Sequence, residues 1–173
     1  KERVNKKVRR LAKKMNMDSF AYKDSVLTWR GAEIRPLAAK FGTPLYVYSE
    51  SALVERCQAL GSAFGNRRAG IYYSVKACSN IHILRILAGL GCGADIVSGG
   101  ELFRCRKADI SPEKIVFSGV GKTEAEIRYA ITEGILFLSV ESEAELHEIS
   151  RIATITGKTA RISVRVNPDV NPG

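Results

Sequence analysis

Short apolar runs recur along the chain at a nearly constant spacing, and this repeat constrains the fold more than any other feature. The runs begin near Ile71, Gly93, Lys114, Leu136 and Ala160, at intervals of 22, 21, 22 and 24 residues. Each interval holds one segment of helical length, and alternating strands and helices are typical of βαβ units with a parallel sheet. The repeat predicts an α/β fold, either half of a doubly wound sheet or about five of the eight units of a (β/α)8 barrel.

Helix signals between the runs support this interpretation. The segment from Thr123 to Glu133 opens with acidic side chains, which suit the positive end of a helix dipole. The segment from Ser142 to Thr156 opens with a capping-box pattern, in which Glu145 follows Ser142 by three positions. Both segments are followed by glycine, the residue that most often ends a helix.

The sequence before the repeat predicts a small β element and two helices. Residues 20–35 contain Trp29 and Gly31 in a pattern that is typical of a hairpin. Residues 36–41 predict a short helix with proline at its first position, and residues 44–48 predict a strand. A serine then stands where it can cap a helix over residues 50–64.

The positive charge of the chain is concentrated at its start. The formal net charge is +9, but nine of the 27 basic residues lie between Lys1 and Lys23. An extension over residues 1–19 with this composition is a nucleic-acid arm, an organelle-targeting remnant or a solvated segment. We favour the solvated segment and expect no nucleic-acid partner. Because the chain does not begin with methionine, we also expect that further sequence precedes it.

The cysteines and the hydropathy pattern exclude several classes of protein. Four cysteines and two histidines are scattered without metal-ligand spacing, so no metal site is predicted. Scattered cysteines in a chain without a secretory signal are typical of reduced thiols in a cytoplasmic protein. No apolar run approaches the roughly 20 residues that a membrane-spanning helix needs, and no membrane partner is expected.

Lys76 is the candidate reactive residue. It follows the strand-like run from Ile71 to Val75 and precedes Ser79 and Asn80, which can cap the next helix. Reactive groups of parallel α/β folds lie at the carboxyl ends of strands, and a partly desolvated lysine can attack a carbonyl. A surface lysine that merely caps the strand is the alternative.

Further polar residues are expected at the same end of the sheet. Asp95 and Glu101 follow Lys76 by 19 and 25 residues, and Ser118 and Glu141 follow the third and fourth strands. A carboxylate beside a lysine can orient its ammonium group. Asp95 could instead bond a loop amide, and Glu101 could instead complement a helix dipole. Lys122, at the start of a helix, is expected to be solvated and to have no role.

The fifth strand carries a row of polar side chains. Arg161, Ser163 and Arg165 alternate along it and are predicted to share one face. Polar groups on the inner face of a barrel strand need a partner. For Arg161 that partner is either a ligand or, as the alternative, a carboxylate of Asp95 or Glu141.

Four ordered motifs carry a family resemblance. The segment YSVKACSN resembles the lysine segment of the fold-type III pyridoxal-phosphate decarboxylases. The segments GCGADIVSGGE, IVFSGVGKT and RVNPDV resemble, more narrowly, the diaminopimelate decarboxylase family, and the entry segment FGTPLYVYSE is also family-like. The resemblance runs from about Phe20 to the last residue.

The resemblance implies both a site and an activity. Lys76 is implied to form the Schiff base with pyridoxal 5'-phosphate, while Asp95 and Arg161 bind the cofactor. We expect a second layer of residues around these groups, formed by Glu101, Ser118, Glu141 and Arg165. The implied reaction removes CO2 from meso-2,6-diaminopimelate to give L-lysine, in a homodimer whose active sites are completed across the subunit interface. Cys78 stands where the family motif usually has asparagine.

The resemblance also favours the barrel over the doubly wound sheet. Residues 20–48 are then a segment of a β domain, and residues 49–173 are the N-terminal part of a truncated barrel that is expected to be inactive alone. A related ornithine or arginine decarboxylase and an alanine racemase of the same fold remain alternatives. So does a non-catalytic pyridoxal-phosphate-binding homeostasis protein, although that family lacks the FGTPLYVYSE segment.

Overall fold

The structure is a computed structural model that describes residues 20–65 and 67–170. It divides into two compact units, with the division between Arg67 and Arg68. The predicted basic extension over residues 1–19 lies outside the described residues. The division into residues 1–19, 20–48 and 49–173 stays a prediction.

The described part of the first unit begins with a three-stranded antiparallel sheet. Its strands are β1 (Phe20–Lys23), β2 (Val26–Trp29) and β3 (Ala32–Glu33), in the order β1-β2-β3. Each hairpin loop has two residues, and both residues of each loop have positive φ, as in Arg30 (52°) and Gly31 (87°). Such loops match the twist of the strands that they join. The predicted hairpin around Trp29 is thus confirmed.

Two helices follow this sheet in the described part of the first unit. They are α1 (Ile34–Phe41) and α2 (Glu50–Phe64), and Ser49 caps α2 because its hydroxyl accepts a hydrogen bond from the Ala52 amide at 3.2 Å. The strand predicted over residues 44–48 is wrong, since this segment has no regular structure. Its side chains favour strands, but that preference depends on packing against a neighbouring strand, and Tyr46 is 83% exposed.

The second unit contains the predicted parallel sheet. Its strands follow one another in chain order, and each pairs in parallel with the next. They are β4 (Tyr72–Ser74), β5 (Gly93–Ile96), β6 (Ile115–Phe117), β7 (Phe137–Val140) and β8 (Ile162–Val164). The helices between them are α3 (Ile81–Gly89), α4 (Gly99–Lys107), α5 (Glu124–Glu133) and α6 (Glu143–Thr156).

The strand order decides between the two predicted architectures. A doubly wound sheet reverses direction at a switch point, whereas a barrel adds each strand beside the last. The order β4-β5-β6-β7-β8 has no reversal, so the unit is five strands of a (β/α)8 barrel. The prediction of a partial barrel is confirmed.

The hydrophobic core lies between one face of this sheet and the helices. Burial alternates along the three central strands. On β5, for example, Ala94 and Ile96 are fully buried while Asp95 between them is partly exposed. The same alternation holds along β6 and β7. The buried strand residues pack with buried residues of every helix of the unit, including Leu84, Leu102, Cys105, Ile127, Ile149 and Ile152. The opposite face, which is the inner face of a barrel, carries the polar residues.

The described residues contain no helix long and apolar enough to cross a membrane.

Gly93 provides a test of the sheet. A methyl group at this position would lie 2.5 Å from the Lys114 carbonyl oxygen and 2.6 Å from the Tyr72 ring. Because a backbone carbonyl in a sheet cannot move aside cheaply, we expect Gly93→Ala to lower the free energy of unfolding of the whole protein by about 1–3 kcal/mol. Denaturant titration measures the change. Gly89→Ala is the matched control, since a methyl group there meets nothing within 4 Å, and an equal loss in both variants would contradict the prediction.

Candidate active site

Lys76 stands at the carboxyl end of β4. The strand passes into a single 3-10 turn, Val75–Ala77, which is anchored by the fully buried side chain of Val75. Lys76 itself is exposed, and over residues 20–65 and 67–170 its amine forms neither a hydrogen bond nor an ion pair. Asn80 then starts α3 by accepting a hydrogen bond from the His82 amide at 2.9 Å. The chain thus presents an unengaged primary amine at a fixed point of the sheet.

Asp95 lies on the neighbouring strand, on the polar face of the sheet. It is paired in register with Ser74, two residues before Lys76. Its Oδ1 accepts a hydrogen bond of 2.6 Å from the hydroxyl of Ser118, which directly follows β6. Asp95 therefore bonds a hydroxyl rather than the loop amide considered from the sequence. The two predicted site residues Asp95 and Ser118 lie together, and each restricts the other.

Glu101 serves the loop that follows β5. Its Oε2 accepts a hydrogen bond of 2.7 Å from the Val97 amide, while its own amide donates to the Ser98 hydroxyl at 3.2 Å. This is the arrangement expected of an acid in the first turn of a helix. Burial, together with the negative charge of Glu101, also raises the pKa of the Cys105 thiol to about 12. The hydrogen bonds to Val97 and Ser98 thus give Glu101 a structural role in the loop.

Glu141 links the ends of three strands. It follows β7, and its Oε1 accepts a hydrogen bond from the Gly119 amide at 3.0 Å, in the loop after β6. Its Oε2 accepts a hydrogen bond from Arg165 Nη1 at 3.1 Å, beyond the end of β8. The Glu141 side chain is 10% exposed and that of Arg165 is 52% exposed. The structure thus brings the predicted residues Glu141 and Arg165 together as an ion pair.

Arg161 lies just before β8 and is exposed. Further along β8, Ser163 stands opposite Ser139 of β7, as expected for one polar face. Among the residues that the structure describes, the Arg161 guanidinium has no hydrogen-bond or ion-pair partner. The ion pair considered for Arg161 is therefore not present, because Asp95 bonds Ser118 and Glu141 bonds Arg165.

The prediction that Lys122 is solvated is wrong. Its side chain is 1% exposed and forms an ion pair with Glu145 at 2.7 Å. Its Nζ also donates to the carbonyl oxygens of Gly119 and Ser139, both at 2.7 Å. One signal was available in the sequence: a lysine just before a helix opposes the helix dipole and needs another source of stabilisation.

The glutamates at the third position of α5 and α6 act differently. Glu126 completes a capping box with Thr123, and it also accepts a hydrogen bond from the amide of Gly99, the first residue of α4, at 2.8 Å. Glu145 was predicted to complete a box with Ser142. Ser142 does cap α6, but the Glu145 carboxylate bonds the Glu141 amide at 2.8 Å and Lys122 instead. Neighbouring loops at this end of the sheet are thereby bonded to one another.

The described residues thus form a parallel β/α sheet of barrel type, with Lys76 after its first strand, Asp95 on the second and Glu141 after the fourth. Residues 50–173 match the family model described as pyridoxal-dependent decarboxylase, pyridoxal binding domain. The chain belongs to this family.

Relatives of known name agree with this assignment. The chain is 51% identical over 151 residues to the diaminopimelate decarboxylase of Aquifex aeolicus, which covers 87% of this chain and 36% of the relative. It is 49% identical over 155 residues to that of Haemophilus influenzae, covering 90% and 37%. A crystal structure of the diaminopimelate decarboxylase of M. jannaschii in complex with L-lysine has a TM-score of 0.81 at 40% identity, covering 90% of this chain and 37% of that one. The chain thus spans little more than a third of the length of these relatives.

Glu126 gives the loop network a pH dependence. Hydrogen bonds from the Gly99 and Thr123 amides lower the pKa of its carboxyl below the ordinary value of 4.5. A group with a lowered pKa in the folded state stabilises the fold above its unfolded pKa, and this stabilisation is lost as the pH falls through the folded pKa. We expect Glu126→Gln to cost stability near neutral pH and the deficit to shrink below about pH 4.5.

Melting temperatures of the whole protein between pH 7 and pH 3 measure this effect. Glu113→Gln is the control, since Glu113 is an exposed carboxylate in the turn before β6. Its curve should run parallel to that of the wild type. A Glu126→Gln curve that also runs parallel to the wild type would contradict the assigned hydrogen bonds.

Proposed function

We propose that the whole protein is a pyridoxal-phosphate-dependent carboxy-lyase that converts meso-2,6-diaminopimelate into L-lysine and CO2, a step of lysine biosynthesis. The observation that carries the proposal is the amine of Lys76, which has no partner among the described residues and lies in the segment YSVKACSN at the carboxyl end of β4. The identity of 42–51% to proteins named diaminopimelate decarboxylase supports the substrate. So do the solved relatives from M. jannaschii and Helicobacter pylori, which are titled as complexes with L-lysine.

The residues present fit the cofactor in chemical terms. Pyridoxal phosphate carries an aldehyde, which needs a primary amine, and Lys76 provides one that no neighbour in the described ranges engages. The cofactor also carries anionic oxygens, and the Arg161 guanidinium is a donor without a partner in the described part of the chain. We assign Lys76, Asp95 and Arg161 to the cofactor. When bound, pyridoxal phosphate supplies an electron sink for the carbanion left by the departing CO2.

Asp95 orients the lysine in this proposal. The Ser118 hydroxyl occupies one carboxylate oxygen of Asp95, and Asp95 is in register with Ser74, two residues before Lys76. A carboxylate beside a lysine can accept a hydrogen bond from its nitrogen and so orient the amine. In this proposal Asp95 orients the amine, and Ser118 sets the direction of Asp95.

Glu101, Glu141 and Arg165 support the site through its loops. Glu101 holds the turn after β5, and the Glu141–Arg165 pair joins the loop after β6 to the end of β8. Reacting groups lose much of their advantage when they are displaced by about 1 Å, so rigid loops at this edge favour catalysis. These three residues position the site in our proposal and do not touch the reacting atoms.

The assembly and compartment of the whole protein follow the family resemblance. We infer a homodimer whose active sites are completed across the subunit interface, with an amino acid as the small-molecule substrate. A cytoplasmic location is supported by the four cysteines, none of which forms a disulfide among the described residues. Residues 49–173 form the N-terminal part of the cofactor-binding barrel in this proposal, and residues 20–48 contribute to a β domain.

The first test concerns Lys76. In the whole protein, Lys76→Ala removes the amine that holds the cofactor, so pyridoxal phosphate should no longer be retained covalently after borohydride reduction, and turnover should fall by orders of magnitude. Mass spectrometry of the Lys76 peptide and the visible absorbance measure this. Lys114→Ala is the matched control, because Lys114 lies at the opposite end of the sheet and its amine bonds only the Gly91 carbonyl, at 3.3 Å, among the described residues. Covalent retention by Lys76→Ala at wild-type level would rule out the assignment.

The second test separates the proposed activity from its alternatives. With pyridoxal phosphate, the whole protein should release CO2 and L-lysine from meso-diaminopimelate and turn over ornithine, arginine or L-lysine much more slowly. Scrambling of the stereocentre without loss of CO2 would identify a racemase. Covalent cofactor retention at Lys76 with no turnover of any amino acid would favour the non-catalytic binding protein, and faster release of CO2 from ornithine or arginine would move the substrate to those amino acids.

A further inference from the structure

Lys122 lies at the centre of a closed set of contacts at the carboxyl edge of the sheet. Its Nζ makes three contacts of 2.7 Å, to the carbonyls of Gly119 and Ser139 and to the Glu145 carboxylate. An ammonium group has three protons, so these contacts use its full capacity to donate. The Phe117 ring lies 5.6 Å from the same nitrogen. Lys122 therefore has its full set of polar partners although its side chain is almost completely buried.

Burial of the Lys122 ammonium group costs free energy, which the contacts that it makes must offset. Burial of an ion pair costs solvation free energy that the pair itself often does not recover. A cation just before α5 also opposes the helix dipole. An apolar side chain of similar length would fill the space without either cost. The feature that an apolar side chain could not reproduce is the connection between the two loops.

The contacts of Lys122 continue into a ring of hydrogen bonds. Lys122 bonds one oxygen of Glu145, and the other oxygen accepts a hydrogen bond from the Glu141 amide. The Glu141 carboxylate in turn accepts a hydrogen bond from the Gly119 amide, while the Gly119 carbonyl returns to Lys122. The ring fixes the peptide groups on both sides of Gly119. Ser118, which holds Asp95, immediately precedes Gly119.

We propose that Lys122 is a positioning residue that locks the loop after β6 and the start of the loop after β7, so that Ser118 holds Asp95 and Glu141 holds Arg165. This inference rests on the proposed function for its effect on turnover. Its effect on the loops does not depend on any activity.

Three variants of the whole protein test the proposal. Lys122→Met keeps the length of the side chain and removes the charge and the donors. Lys122→Met combined with Glu145→Gln also removes the buried carboxylate that would otherwise be left unpaired. Arg106→Met is the matched control, because Arg106 likewise joins a carboxylate, Glu133 at 2.8 Å, to a carbonyl, Ile110 at 2.9 Å, but at the other end of the sheet.

Two measurements are made on each variant. Hydrogen exchange followed by mass spectrometry reads the amides in peptides that span residues 117–122 and 139–145. We expect these amides to exchange several-fold faster in both Lys122 variants than in the wild type. In Arg106→Met their exchange rate should not change. We also expect kcat/KM for meso-diaminopimelate to fall about tenfold or more in both Lys122 variants, mainly through kcat, and to change little in Arg106→Met.

The double variant separates positioning from charge balance. It should recover melting temperature relative to Lys122→Met while its loops and kcat/KM stay impaired. Recovery of wild-type exchange and kcat/KM in the double variant would mean that Lys122 only neutralises Glu145, and unchanged exchange in both Lys122 variants would equally overturn the proposal. If the wild-type protein does not act on meso-diaminopimelate, the proposed function fails, and the exchange data still decide the role of Lys122.

Discussion

The register of the five-stranded parallel sheet is the constraint on which the site depends. Ser74, Asp95, Val116 and Phe137 are aligned across four strands. On β5, β6 and β7 the sequence neighbours of Asp95, Val116 and Phe137 are buried against the helices, so a slip of one residue would turn Asp95 into the core. Burial of one face therefore fixes which residues face the other. It also brings Lys76, Ser118 and Glu141 to a single edge, because all five strands point the same way.

Glutamates at the third position of helices join this edge together. Glu101, Glu126 and Glu145 each follow a serine or threonine cap by three residues. Each accepts a backbone hydrogen bond, but the donors differ: the Val97 amide for Glu101, the Gly99 and Thr123 amides for Glu126, and the Glu141 amide for Glu145. One local motif thus serves both to start helices and to bond a loop to itself or to its neighbour. Carboxylates in these positions also complement the helix dipoles.

Much of this architecture could be predicted from the sequence, because its main features repeat locally. The spacing of apolar runs predicted five strands, and the cap residues predicted the starts of the helices that follow Asn80 and Ser142. The pattern could not predict which side chains meet across loops. Lys122 contacts residues 17 and 23 positions away. One of them is Glu145, whose carboxylate bonds Lys122 and does not complete the expected capping box. The strand predicted over residues 44–48 was wrong for a related reason, because residues that favour strands form one only when a neighbouring strand pairs with them.

The chain order of the sheet has a consequence for how such a protein is made. Every strand from β5 to β8 pairs with the strand that precedes it by about 22 residues, so each new pairing closes a short loop. The cross-loop bonds of Glu126, Glu141 and Lys122 also join consecutive units. A polypeptide leaving the ribosome can therefore add one unit at a time to an existing edge, without waiting for distant sequence. Each β/α unit, once docked, provides the template for the next during synthesis.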